Sequence, residues 1–240
     1  MKYIDASQLT YAELNKQIRN SDIDSEISGC LGQRFIATGM SKVNITIRGI
    51  PGNALGAYLN GARIKVIGNA QDAVGDTMND GYIVIDGNVG DAAGYAMRGG
   101  KIYVRGNAGY RAGIHMKEYK NKSPVLIIGG KTGSFLGEYQ AGGKIIVLGM
   151  SDNNRPIVGD FPCTGMHGGK MYLRSDCSKV NFTDQVNAAP ASKDELNEIK
   201  DYIEEYCTFF KLDQKIILDA RFTVITPNTS NPYRQMYTAN

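Results

Sequence analysis

Ile83-Val84-Ile85-Asp86-Gly87 returns 19 residues later as Ile102-Tyr103-Val104-Arg105-Gly106, and the same five-residue shape marks most of the chain. Upstream it reads Ile45-Thr46-Ile47-Arg48-Gly49 and Ile64-Lys65-Val66-Ile67-Gly68. Downstream it reads Leu126-Ile127-Ile128-Gly129-Gly130, then Ile145-Ile146-Val147-Leu148-Gly149, then Met171-Tyr172-Leu173-Arg174-Ser175, where the glycine is lost. The closing positions 49, 68, 87, 106, 130, 149 and 175 are separated by 19, 19, 19, 24, 19 and 26 residues. From Val43 to Arg174 the chain is therefore one unit repeated about seven times.

A beat of 19 is too short for helical-hairpin repeats of roughly 33 residues or for propeller blades. The leading segment alternates with period two and is β-branched, as a strand requires. Equivalent strands one period apart stack in parallel, coil upon coil. Ile47, Val66, Ile85, Val104, Ile128 and Val147 then form one inward ladder, and Ile45, Ile64, Ile83, Ile102, Leu126 and Ile145 its neighbour. A second glycine keeps the beat at Gly56, Gly75, Gly94 and Gly113, with Gly137 and Gly159 continuing more loosely. Three residues after it come Leu59, Met78, Met97 and Met116. Gln140 breaks that column, and Met166 rejoins it across a short insertion near Cys163. The glycines read as corners, where positive φ or close approach of coils excludes a Cβ. Between the inward ladders lie Val84, Tyr103, Ile127, Ile146 and Tyr172, so this sheet is apolar on both faces. The chain's own termini or a partner subunit must cover it, and homo-oligomers are one way to do so. Two insertions, Lys117 to Pro124 and Ser151 to Pro156, read as outside loops.

The flanks differ. Residues 1–24 are read as an N-terminal helical cap, 25–177 as the parallel β-helix, and 178–240 as linker, helix and strand packing on the β-helix or on a partner. Thr10-Tyr11-Ala12-Glu13 is a capping box opening a helix to about Arg19. Residues 178–191 read as linker. Ser192-Lys193-Asp194-Glu195 is a second capping box, and Leu196, Ile199, Ile203, Tyr206 and Phe210 mark one face of a helix to about Lys211. Arg221 to Thr226 reads as a strand, and the tail from Asn228 is polar.

Composition bounds the chemistry. With 27 Lys and Arg against 24 Asp and Glu in 240 residues, the net charge of +3 gives no nucleic-acid footprint. The N-terminus carries no secretory apolar run, and no stretch reaches the roughly 18 apolar residues of a membrane span. Cys30, Cys163, Cys177 and Cys207 form no Cys-x-x-Cys pair and read as reduced cytoplasmic thiols, not a metal cage. Gly90-Asp91-Ala92-Ala93-Gly94 is a repeat corner and not a nucleotide loop, since no helix follows it. His115 shares a column with Tyr58, Thr77, Ala96 and Tyr139, and His167 one with Asn60, Asn79 and Arg98; both read as surface histidines. Cys163 and His167 are four apart without a third group, a poor catalytic dyad. Asp72 and Asp91 share a column one coil apart; they read as solvated corners rather than as a cation site. A six-residue left-handed beat is excluded, because from Val66 it steps to Asp72 and Met78.

Gly52-Asn53-Ala54-Leu55-Gly56, Gly99-Gly100-Lys101-Ile102-Tyr103-Val104-Arg105 and Asn107-Ala108-Gly109-Tyr110-Arg111-Ala112-Gly113 resemble the Gly-x-x-x-Gly β-helix domain that closes the large subunit of glutamate synthase. Gly168 to Arg174 is similar to its last coil, and Glu195 to Thr226 to its terminal helix and strand, so the likeness spans about residues 25–226. Tyr11 to Asn15 looks like the free-standing version of the domain. The resemblance implies a right-handed parallel β-helix of about seven coils, with no catalytic, cofactor-binding or metal residues and no cofactor of its own. It implies a cytoplasmic scaffold subunit that positions separate glutamine amidotransferase and FMN/iron–sulfur synthase subunits. The same repeat occurs in the C subunit of formylmethanofuran dehydrogenase, which stands as the alternative. An autonomous carbohydrate-active β-helix, working through Asp72 and Asp91, is a third reading of different class.

Overall fold

The computed structural model describes residues 1–20, 23–151 and 155–228. Residues 152–154 of the second insertion and 229–240 of the polar tail lie outside the described residues. In chain order the elements are β1 (Lys2–Asp5), α1 (Tyr11–Arg19), β2 (Ser25–Leu31), β3 (Asn44–Ile50), β4 (Asn60–Ile67), β5 (Asp80–Ile85) and β6 (Lys101–Val104). There follow β7 (Val125–Ile128), β8 (Ala141–Val147), β9 (Gly168–Leu173), β10 (Val186–Pro190), α2 (Lys193–Phe210), α3 (Gln214–Leu218) and β11 (Thr223–Pro227).

Strands β1 to β9 pair consecutively in parallel, and the sheet ends β9-β11-β10 in antiparallel pairs. This is a parallel β-solenoid of eight coils from β2 to β9, one more than the seven repeats visible in the sequence. The first coil, inside the 25–177 span but outside the visible repeat, is disguised. Ser25, not an aliphatic residue, pairs with Ile45, and a register shift between Ile27 and Cys30 breaks the beat. Ser25 is nonetheless buried, with its hydroxyl donating to the Ile23 carbonyl at 3.1 Å. Elsewhere the ladders pair as the alternation dictates: Ile64 with Ile83, Ile83 with Ile102, Val66 with Ile85.

Each coil turns through a stretch in which alternate residues are left-handed. Ala54, Gly56 and Tyr58 have φ of 62, 65 and 56°, and Ala73, Gly75 and Thr77 have 57, 68 and 51°. The amides of Ala54 and Tyr58 donate to the following coil, at Asp72 and Asp76, while that of Gly56 donates to the preceding coil, at Ile36. The backbone is thus satisfied in both directions along the rod, which offsets the strain of left-handed non-glycine residues. The last turn corrects the glycine column. Its left-handed residues are Phe161, Cys163 and Gly165, so Cys163 (φ 62°) takes the glycine's place; the Gly159 amide bonds to Gly133 in a different column. Met166 follows Cys163 as Met116 follows Gly113, so the insertion lies upstream of Cys163.

The ends are closed. Both capping boxes form, at Thr10 with Glu13 and at Ser192 with Glu195. Leu14 and Ile18 of α1 join the solenoid core, and Asn15 donates to the Arg34 carbonyl at the first turn (3.0 Å). The predicted linker is not wholly irregular: Val186–Pro190 forms β10. Its proline is tolerated because β10 is the sheet's last strand.

Of the two ways to cover the outer sheet face, the chain uses its own C-terminus. Val84, Tyr103, Ile127, Ile146 and Tyr172 are buried in a second core beneath Ile199, Ile203, Tyr206 and Phe210 of α2. This corrects the expectation that the column leaves a face for homo-oligomers.

Candidate functional site

The carboxylates at Asp72 and Asp91 serve the backbone. Asp72 Oδ1 accepts the Asp91 amide at 2.9 Å, and Asp91 Oδ1 accepts the Tyr110 amide at 2.8 Å. Asn53 begins this column by accepting the Asp72 amide at 3.3 Å. A parallel ladder runs from Asn69 to the Asn88 amide, from Asn88 to the Asn107 amide and from Asn107 to the Lys131 amide, each at 2.8 Å. Short side chains with an acceptor two bonds from Cβ suit this coil-to-coil reach. Among the described residues no group of three or more His, Cys, Asp and Glu is placed to hold a metal.

Cys163 and His167 do not meet as a dyad. The Cys163 thiol is fully buried beside the Met171 sulfur at 3.6 Å, and burial, with a smaller contribution from Cys177, pushes it up to about 12. Burial likewise pushes Cys30 up to about 11 and raises Cys177 and Cys207. All four cysteines are free and buried. The His167 ring instead lies 2.9 Å from the Gly165 carbonyl, within its own turn.

The helix-covered face is closed by two matching polar clamps. Lys101 and Tyr103 of β6 both reach Glu205, the lysine at 2.6 Å. Lys170 and Tyr172 of β9 reach Glu198 at 2.5 and 3.1 Å. Burial first, and then the glutamate, raises the Tyr103 hydroxyl; the same holds for Tyr172. The glutamates are two helical turns apart, so one stripe of α2 reads two strands. The strand signature Gly-Gly-Lys-x-Tyr was visible in the sequence, but its glutamate partners were not.

What remains open is the turn face. Tyr58, Thr77, Ala96, His115 and Tyr139 do form one column, as expected. His115 stacks on Tyr139 with ring centres 5.1 Å apart and planes 10° apart, and Tyr95 meets His115 edge-on at 5.9 Å. Beside this column the Lys117–Pro124 insertion forms a small hairpin. The Tyr119 and Lys122 backbones exchange hydrogen bonds, both at 3.1 Å, and Lys122 is salt-bridged to Asp80 at 2.8 Å. A groove of about 430 Å³ lies between hairpin and coils, with Asn60, Asn79, Arg98, Lys120 and Lys122 in its walls. A second hollow of about 350 Å³ shares Arg98 and takes in His115, Lys117, Tyr139 and His167. Sequence reasoning named the histidine columns and the insertion separately; the hairpin's fold back onto Asp80 is what joins them.

Among the described residues no helix is long and apolar enough to cross a membrane. The solenoid has known relatives. Its fold is similar to the solved formyltransferase/hydrolase complex (FhcABCD) from Methylorubrum extorquens in complex with methylofuran. The TM-score is 0.63, with 17% identity over 92% of this chain and 89% of that one, a likeness of fold alone. It is 45% identical over 249 residues to the uncharacterized protein MJ1350 of Methanocaldococcus jannaschii, covering 98% of this chain and 95% of the relative. The family model described as GXGXG motif matches residues 2–228, from β1 through the first coil that the repeat count overlooked to the antiparallel end strand, and the chain belongs to that family.

Proposed function

We propose that the chain is a non-catalytic structural subunit of a multi-subunit oxidoreductase, and that the complex is of the glutamate synthase type. In this reading the rod holds a glutamine amidotransferase and an FMN/iron–sulfur synthase at a fixed separation, and the reacting groups belong to those partners. The observation that carries it is the use to which the chain puts its own reactive side chains. Asp72 and Asp91 are tied to amides of the next coil, Cys163 is sealed in the core, and His167 bonds within its turn. Each of these side chains is thus engaged in holding the solenoid's own backbone or core. The C-terminal helix and strand, which resemble the end of the glutamate synthase domain, favour that complex.

A second reading, the β-helix subunit of a formylmethanofuran dehydrogenase, draws support from the likeness in fold to the formyltransferase/hydrolase complex. Affinity purification of the chain from its host tests both. Co-elution with an amidotransferase and a flavoprotein, seen as flavin absorbance, is the expected result. Co-elution with a tungsten or molybdenum protein would favour the second reading, and recovery of the chain alone would overturn both.

A further inference from the structure

The groove and the hollow on the turn face gather charge of one sign. Arg98, Lys117, Lys120 and Lys122 line them, together with both histidines of the chain, and among the described residues no Asp or Glu does. This is not the average surface of a molecule with a net charge of only +3. Lys122 is engaged by Asp80, but Arg98, at the junction of the two hollows, is half-buried and forms no salt bridge among the described residues. Its Nε is shut off from solvent and has no hydrogen-bond partner among the described residues. The Lys122–Asp80 pair ties the hairpin to the coils beside the groove.

The track is long. Asn60, Asn79, Arg98, Lys117, Ala141 and His167 stand on six successive coils. At ~4.8 Å per coil this is roughly 24 Å, the reach of about seven residues of extended polypeptide. Exposed Tyr58, Tyr95 and Tyr119 add flat apolar surface beside the cations.

We infer that this face binds an extended acidic segment of a partner protein, carboxylates against Arg98, Lys117 and Lys120 and apolar side chains against the tyrosines. A small anion would satisfy Arg98 and Lys117 on their two adjacent coils but leave Asn60, Asn79 and the exposed tyrosines unused. A nucleic-acid strand would find the same cations and the exposed rings of Tyr58, Tyr95 and Tyr119, but a net charge of only +3 offers its backbone no wider basic footprint. The inference rests on the reading of the chain as a subunit, since the other large face is already filled by α2.

The test uses the full chain and a fluorescein-labelled eight-residue peptide of alternating Glu and Gly, followed by anisotropy at low salt. The triple variant Arg98→Gln/Lys117→Gln/Lys120→Gln is expected to bind about tenfold more weakly or worse, and the control Lys65→Gln/Lys193→Gln/Lys200→Gln to lose less than about threefold. On the unaltered chain, the peptide is expected to slow acetylation of Lys117 and Lys120 but not of Lys65, a readout that needs no variant to fold. Equal losses in both triple variants, or displacement of the peptide by citrate or by an eight-nucleotide oligo(dT) at lower concentration than unlabelled peptide, would overturn the inference. Host purification separates the two levels. If the Arg98 variant retains every partner of the unaltered chain, the acidic-segment inference fails and the subunit reading stands. If the unaltered chain is recovered alone, the subunit reading fails while the peptide titration still decides the face.

Discussion

Gly75 and Ala73 lie in one turn with φ of 68 and 57°, yet exchanging a methyl group should affect them very differently. A Cβ on Gly75 would stand 2.5 Å from Ile102 Cδ1 in the core. Gly75→Ala therefore adds left-handed strain to overpacking and should cost ~2–4 kcal/mol. Ala73→Gly relieves strain but frees the unfolded chain, and should leave stability within about 1 kcal/mol. Urea unfolding decides this, and equal losses in both variants would refute the account. The aspartate column makes a second residue-level prediction. Asp72→Asn keeps the acceptor for the Asp91 amide and should be near neutral, whereas Asp72→Ala leaves that amide without its partner and should cost about 1 kcal/mol. An Asn variant as unstable as the Ala variant would mean that charge, not the hydrogen bond, matters there.

At the scale of elements, α2 is held by an apolar stripe and by the two Lys–Glu–Tyr clamps. The Lys170 hydrogen bond, helped by Tyr172, holds Glu198 below the usual carboxylate range. A carboxyl lowered on folding contributes stability above its unfolded value, near 4.5, and loses it as pH falls through the lower folded value. Glu198→Gln should therefore be less stable than the unaltered chain at pH 6. The gap should close on acidification below about 4.5, as read from urea midpoints at several pH values. A gap that stays constant down to pH 3 would remove the clamp from the account. Deleting the chain from Ser192 onward bares Val84, Tyr103, Ile127, Ile146 and Tyr172 together. The truncated chain should self-associate, which sedimentation would reveal.

The whole molecule is a one-dimensional stack, so stability is expected to be lowest where a coil has a single neighbour. Amide exchange should be slowest in the strands from β4 to β8. Leu14→Ala, which opens the capped end, should accelerate exchange in β2 and β3 far more than in β8. Uniform acceleration along the rod would instead mean that the solenoid unfolds as one unit.

Much of this was legible in the sequence. The 19-residue beat, the two inward ladders, both capping boxes and the apolar face of α2 are patterns of near neighbours, set by the pleat of a strand and the pitch of a helix. Near neighbours do not say where a side chain ends when its partner is a coil or a hundred residues away. That Asp72 bonds an amide 19 residues on, that Glu205 reaches Lys101, and that α2 rather than a partner covers the sheet were decided only by the tertiary structure. So was the count of eight coils, because in the first, already inside the residues 25–177 read as β-helix, a buried Ser25 and a register shift erase the repeat while the backbone keeps it. The left-handed residues flanking each turn glycine are set in the same way. Alanine and tyrosine carry no local preference for that conformation, and hydrogen bonds to the coils on either side hold them in it.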